Sequence, residues 1–205
     1  MMYAYCVLHK ELPILYYTLF LLHTRCYSAR LCATVSWERG FCRGLVDSAI
    51  FLPVVSRGAI NHATNSRQSF SKLTADSPCD NVLLEYTLAL NLQEMGLVQR
   101  IFPVMVGDLK RDSTGGPDVY TNYFASGCHP VFAGASDAPV VRSTEAKLAE
   151  HMDGEGLGSP LLGGLSPKAV LDRLLVNQGF FVEGPADAAF DAIRGKVADM
   201  VAGTV

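Results

Sequence analysis

Glu85 lies within Asp80 to Leu90, D-N-V-L-L-E-Y-T-L-A-L, as a carboxylate surrounded by Leu83, Leu84, Tyr86 and Leu88. A charged group in such company is desolvated only with a partner or a shift in its proton affinity. The side chain therefore either reaches a cleft, where carboxylates do binding or catalytic work, or keeps one helix edge wet. In the second case it shares that edge with Asn81 and Ala89 at helical spacing and is an ordinary solvated residue.

The other residues with chemical potential have plainer readings. Cys128-His129 is the one adjacent Cys and His, and no second pair stands at metal-ligand spacing, so no metal site is expected. Ser56-Arg57 follows an apolar run and can face a ligand at a strand's carboxyl end, although a strand-ending loop explains it as well. Trp37 can stack on a base, but its place at the start of an apolar helical face is a core position. Gly154 to Gly158 spells G-x-G-x-G without the strand and remaining spacing of a dinucleotide loop, and reads as a flexible link. The motifs G-x-S-x-G, G-x-x-x-x-G-K and H-E-x-x-H do not occur, which removes the best-marked hydrolase, nucleoside triphosphatase and metalloprotease readings.

The elements that hold Glu85 are legible on either side. Ser77-Pro78-Cys79-Asp80 offers a cap, a proline at the first helical position and an acid at the third, and the helix runs to about Met95 with Gly96 as terminator. Arg100 to Gly107, R-I-F-P-V-M-V-G, is the buried strand that follows. Upstream, Ser36 caps a helix with Trp37, Phe41, Gly44, Leu45 and Ser48 on one face. Ser48 to Ser56, S-A-I-F-L-P-V-V-S, is then a nearly continuous apolar run, the mark of a strand covered on both faces, with Pro53 favouring an edge position. Strand, helix, strand makes a parallel unit.

The polar stretch Arg57 to Asp76 and the segment Gly107 to Pro117 read as loops, and the aromatic Tyr120 to Pro130 as a loop that docks on the body. Further on, Ser143 to Met152 is helical, Gly154 to Gly164 is a glycine-rich linker, and Ser166-Pro167 opens a helix ending near Asn177 and Gly179. Phe180 to Val182 is a short strand. A last helix from Ala186 to Val201 sets Ala189, Ile193, Val197, Met200 and Val201 on one face to cover the sheet.

The totals suit one α/β core with an extra piece: 205 residues, 49% hydrophobic and 18% charged. The net charge of -3, without a Lys/Arg run longer than a pair, argues against a nucleic-acid surface. Six scattered cysteines without a C-x-x-C pair fit reduced thiols in the cytosol. Residues 1 to 35 differ from the rest, rich in Tyr, Leu and Cys. Their apolar run from Leu12 to Leu22, broken by Pro13, is too short to span a bilayer, and its flanks do not suit a signal peptide, so neither membrane insertion nor secretion is expected.

The order W-x-x-x-F-x-x-G-L-x-x-S, I-F-L-P-V-V-S, S-P-C-D-N-V-L-L-E-Y-T-L-A-L and I-F-P-V-M-V-G resembles the Toll/interleukin-1 receptor (TIR) domain family. In that family an aromatic helix precedes a strand ending in Ser, a helix with the functional glutamate follows, and the next strand reads I-x-P-V. Here these features fall on Trp37, Ser48, Ile50 to Ser56, Glu85, and Ile101 to Val106. The resemblance covers Ser36 to Gly107 and, more weakly, the helices to the C-terminus. It implies a mostly parallel, flavodoxin-like sheet with helices on both faces over residues 36–205. Residues 1 to 36 show none of the family's opening strand, helix and second strand, so the sheet is expected to be incomplete at its N-terminal edge.

The family's two modes of action set the functional expectations. One is a cytoplasmic signalling module acting through homotypic contacts with other TIR domains, including self-association. The other is cleavage of the nicotinamide-ribose bond of NAD+, as substrate rather than cofactor. Glu85 then carries the catalytic role, orienting ribose and stabilising the oxocarbenium-like cation left by nicotinamide. A truncated, non-functional fragment with an exposed sheet edge is the third expectation.

Overall fold

The computed structural model describes residues 6–9, 37–56, 60, 70–111, 113–116, 119–121, 140–177 and 179–203. Helix α1 (Trp37–Val46) leads directly into strand β2 (Ser48–Leu52), while β1 (Cys6–His9) pairs antiparallel with β2, Val7 opposite Phe51 and Leu8 opposite Ile50. Residues 1 to 36 carry no pattern that predicts a strand. In the structure β1 occupies the edge of β2 that was expected to be bare. Ser48 belongs to β2 and not to the helical face, and its hydroxyl donates to the Gly44 carbonyl, closing the end of α1 from the strand side.

The apolar run from Ser48 continues after Pro53 as β3 (Val54–Ser56). Its parallel partner is likewise split, into β4 (Arg100–Ile101) and β5 (Val104–Val106). The register is constant through both gaps: Ile50 faces Arg100, Phe51 faces Ile101, Val54 faces Val104 and Ser56 faces Val106. Bonds from Phe102 N to Phe51 O and from Val104 N to Pro53 O, each 2.8 Å, carry the ladder across. Pro53 thus stands where the run passes from β2, which has a strand on either side, to β3, which among the described residues is an edge strand, in keeping with proline's preference; its carbonyl still accepts, and only the N–H that proline lacks is lost. Strand β8 (Phe180–Val182) adds parallel to β5, Val104 facing Phe180.

Two short pieces on Leu109–Lys110 (β6) and Val119–Tyr120 (β7) pair antiparallel, and β7 pairs with Gly184–Pro185 (β9). Leu109–Lys110 falls within Gly107 to Pro117, a segment expected to be loop; two-residue strands have no period to detect. Among the described residues no helix is long and apolar enough to cross a membrane.

Helices cover both faces of the sheet. Residues of one strand alternate between two cores, as the two-residue period of a strand requires. Phe51, Val55, Ile101 and Met105 face the larger core, built with α1, α2 (Asn81–Glu94), α3 (Arg142–Gly154) and α4 (Pro167–Val176). Ile50, Leu52, Phe102, Val104 and Val182 face the smaller one, where Ala189, Ile193 and Val197 of α5 (Ala186–Val201) close the layer. This is the face of the last helix that its sequence period implied.

Candidate functional site

Helix α2 begins at Asn81, three residues later than the Ser-Pro signal suggested. Asp80 is its cap, accepting from Leu83 N at 2.8 Å. Ser77 instead ends a turn: its N–H donates to the Thr74 carbonyl and its hydroxyl accepts from Thr74 N. Burial raises the Asp80 pKa above 3.8, and the backbone N–H groups of Leu83 and Val82 only partly counter it. At the other end Gly96, with φ +71°, follows the last turn as the helix terminator, as expected from the sequence.

Between these caps every residue from Val82 to Leu92 is buried. A helix apolar all round has no solvent face to offer and belongs inside. Here the sheet lies on one side, and α1, α3 and α4 pack around the rest. Tyr86 marks the sheet side: its hydroxyl donates to Val54 O at 3.2 Å, and its ring meets Phe51 edge-on at 6.4 Å and Phe70 at 5.8 Å.

Three polar side chains share this interior with the apolar ones. Thr87 donates to Leu83 O at 2.6 Å, back along its own helix. Asn91 donates to Thr87 O and accepts from Leu162 N at 2.8 Å, which ties the glycine-rich segment 154–164 onto the helix. That segment is therefore tethered to the core and not a free link, with Leu157 and Leu162 packed against it. Glu85 is the third, 2% exposed. The solvated-edge reading of Glu85 is excluded: Asn81 is exposed, but Glu85 and Ala89 are not. Glu85 is one residue before Tyr86 and so lies level with β3, toward the carboxyl ends of the parallel strands.

The described residues also border a partly open cavity of about 300 Å³, lined at its polar side by Gln93, Gln99, Arg100, Asn177 and Lys196. Glu85 is not among its lining residues. Eight residues of helix, roughly 12 Å, separate Glu85 from Gln93. Sequence reasoning missed this cavity because its residues come from five separate elements and form no motif. Of the remaining candidates, Ser56 ends β3 and is half-buried. The side chain of Trp37, the cap Ser36, Arg57, and Cys128-His129 with most of the aromatic segment lie outside the described residues. Among the described residues no group of three or more His, Cys, Asp or Glu side chains is placed to hold a metal ion.

Set against known proteins, the chain matches no family model, no curated protein and no solved structure.

Proposed function

We propose that the chain is a cytoplasmic signal-transduction module of TIR type, working through homotypic contact between copies or with other TIR domains. The reading rests on the order of motifs quoted above, which falls on consecutive elements of a mostly parallel α/β unit, α1, β2/β3, α2 and β4/β5. The observation that favours assembly over catalysis is the 2% exposure of Glu85 inside an enclosed helix. A catalytic carboxylate must touch its substrate, whereas an interaction module needs only its outer faces. Sedimentation velocity over a hundredfold concentration range is the test. A sedimentation coefficient that rises with concentration is expected, and a single monomeric species throughout would overturn the proposal.

The second reading is an NAD+ glycohydrolase or cyclase. It is favoured by the type and position of the same residue: a desolvated carboxylate toward the carboxyl ends of parallel strands, where open α/β sheets bind ligands. It predicts nicotinamide release that disappears in Glu85→Ala while circular dichroism shows the fold retained. Glu85→Gln, which keeps the side-chain volume, serves if alanine unfolds the helix. Release that persists in both variants rejects the role of Glu85.

A further inference from the structure

The cavity of about 300 Å³ lies at the amino-terminal edge of the parallel strands, away from Glu85. Five elements build it. The last turn of helix α2 brings Gln93, β4 starts there with Arg100 just after Gln99, α4 gives way there to Asn177, β8 starts there with Phe180, and α5 brings Lys196 and Met200 from its last turns. Gln93 donates to Asn177 Oδ1 at 3.3 Å, joining two of these elements. Gly179 explains how the next stretch fits: a Cβ there would stand 2.5 Å from Pro103 O, so only glycine lets the chain pass this close on its way into β8.

The lining has a one-sided chemistry. It contains two cations, three side-chain amides and no carboxylate. Elsewhere Arg142, Lys147, Lys168, Arg173 and Arg194 each lie within ion-pair distance of an acidic side chain, whereas the exposed Arg43, Lys72, Lys110 and Arg111 have no such partner among the described residues, so it is convergence on one hollow that sets Arg100 and Lys196 apart. Arg100 and Lys196 have no such partner among the described residues. The rest of the lining is apolar, with Phe102, Phe180 and Met200 all belonging to the smaller core. Unpaired cations beside an apolar wall, in a cavity at the lower end of the size range of small-molecule sites, suit a compact amphipathic anion.

We propose that this cavity binds a small organic oxyanion, its charged head held by Arg100 and Lys196 and its apolar body set against Phe102 and Phe180. The proposal is independent of any role for Glu85. Phosphate and carboxylate heads share the required chemistry, and the test separates them. The full chain is titrated calorimetrically with phenyl phosphate, benzoate and neutral benzyl alcohol. At least one aryl anion is expected to bind saturably, and benzyl alcohol is not; the tighter anion identifies the head group. Arg100→Ala and Lys196→Ala each weaken binding at least tenfold, with unchanged circular dichroism because both side chains reach solvent. Raising the salt concentration weakens binding to the wild-type chain too, a readout that needs no variant. Absence of binding by both anions, equal binding of benzyl alcohol, or variants that bind as the wild type does would each overturn the proposal.

Discussion

Asp80 combines two roles whose energetics pull in opposite directions. As a cap it stabilises the first turn of α2, yet burial disfavours its charged form and raises its pKa above 3.8. The folded chain therefore holds this proton more tightly than the unfolded chain does. Between 3.8 and the raised folded value the native state carries the extra proton, so Asp80's contribution to stability is greatest at the acid end and declines as pH rises through that window. Asn at this position keeps an oxygen that can accept from Leu83 N and carries no charge. Asp80→Asn is thus expected to be at least as stable as the wild type at neutral pH. The difference between the two, from denaturant titrations at a series of pH values, should grow with pH across the window and then level off. A variant less stable at pH 7 would mean that attraction between the carboxylate and the helix end outweighs its desolvation.

At the scale of elements, α2 depends on Asn91 to hold the chain that passes over it. Its amide accepts from Leu162 N at 2.8 Å and is itself fully buried. Asn91→Ala removes that acceptor and leaves the amide of Leu162 to find another, at a cost of about 1–3 kcal/mol. Hydrogen exchange should speed up first in segment 157–164. Gly179→Ala is expected to cost about 1–3 kcal/mol for a different reason, since its new methyl meets the Pro103 carbonyl and β8 must shift. An unchanged denaturation midpoint in either variant would refute the corresponding role. Both positions show where sequence reading stops. The helices at 142–154, 167–176 and 186–201 and the strand at 180–182 were legible because each carries its own period or cap, as Ser166 does by accepting from Ala169 N. The start of α2 was misplaced because Ser77-Pro78 and Asp80 are both good caps, and only packing decides between them. Strand β1, the pairing of β7 with β9, and the tether from Asn91 depend on partners far along the chain, and β6 and β7 are each only two residues long, so no local pattern announces them. The burial of Glu85 has the same origin: helix periodicity fixed its neighbours on α2, but α3 and α4, far downstream, complete the enclosure.

Across the whole molecule, the sheet is a single layer shared by two cores of unequal size. Phe51 points into the larger while Ile50 and Leu52, its neighbours in the same strand, point into the smaller; Met105 and Val104 divide in the same way. Neither core can lose its packing without disturbing backbone that the other uses. The smaller core is closed by α5 through Ala189, Ile193 and Val197, and Ile193 is 1% exposed. Ile193→Ala removes three carbons from a site with little room to collapse, and is expected to cost about 2–5 kcal/mol. Because the strands are common to both sides, that loss should lower the stability of the larger core equally, although Ile193 is not part of it. Far-UV circular dichroism and hydrogen exchange at Leu83, Leu88 and Leu171, which pack in the larger core, would then report one common destabilisation. Exchange at these positions that keeps its wild-type protection while α5 opens would show that the last helix unfolds on its own, leaving the sheet and the enclosure of Glu85 intact.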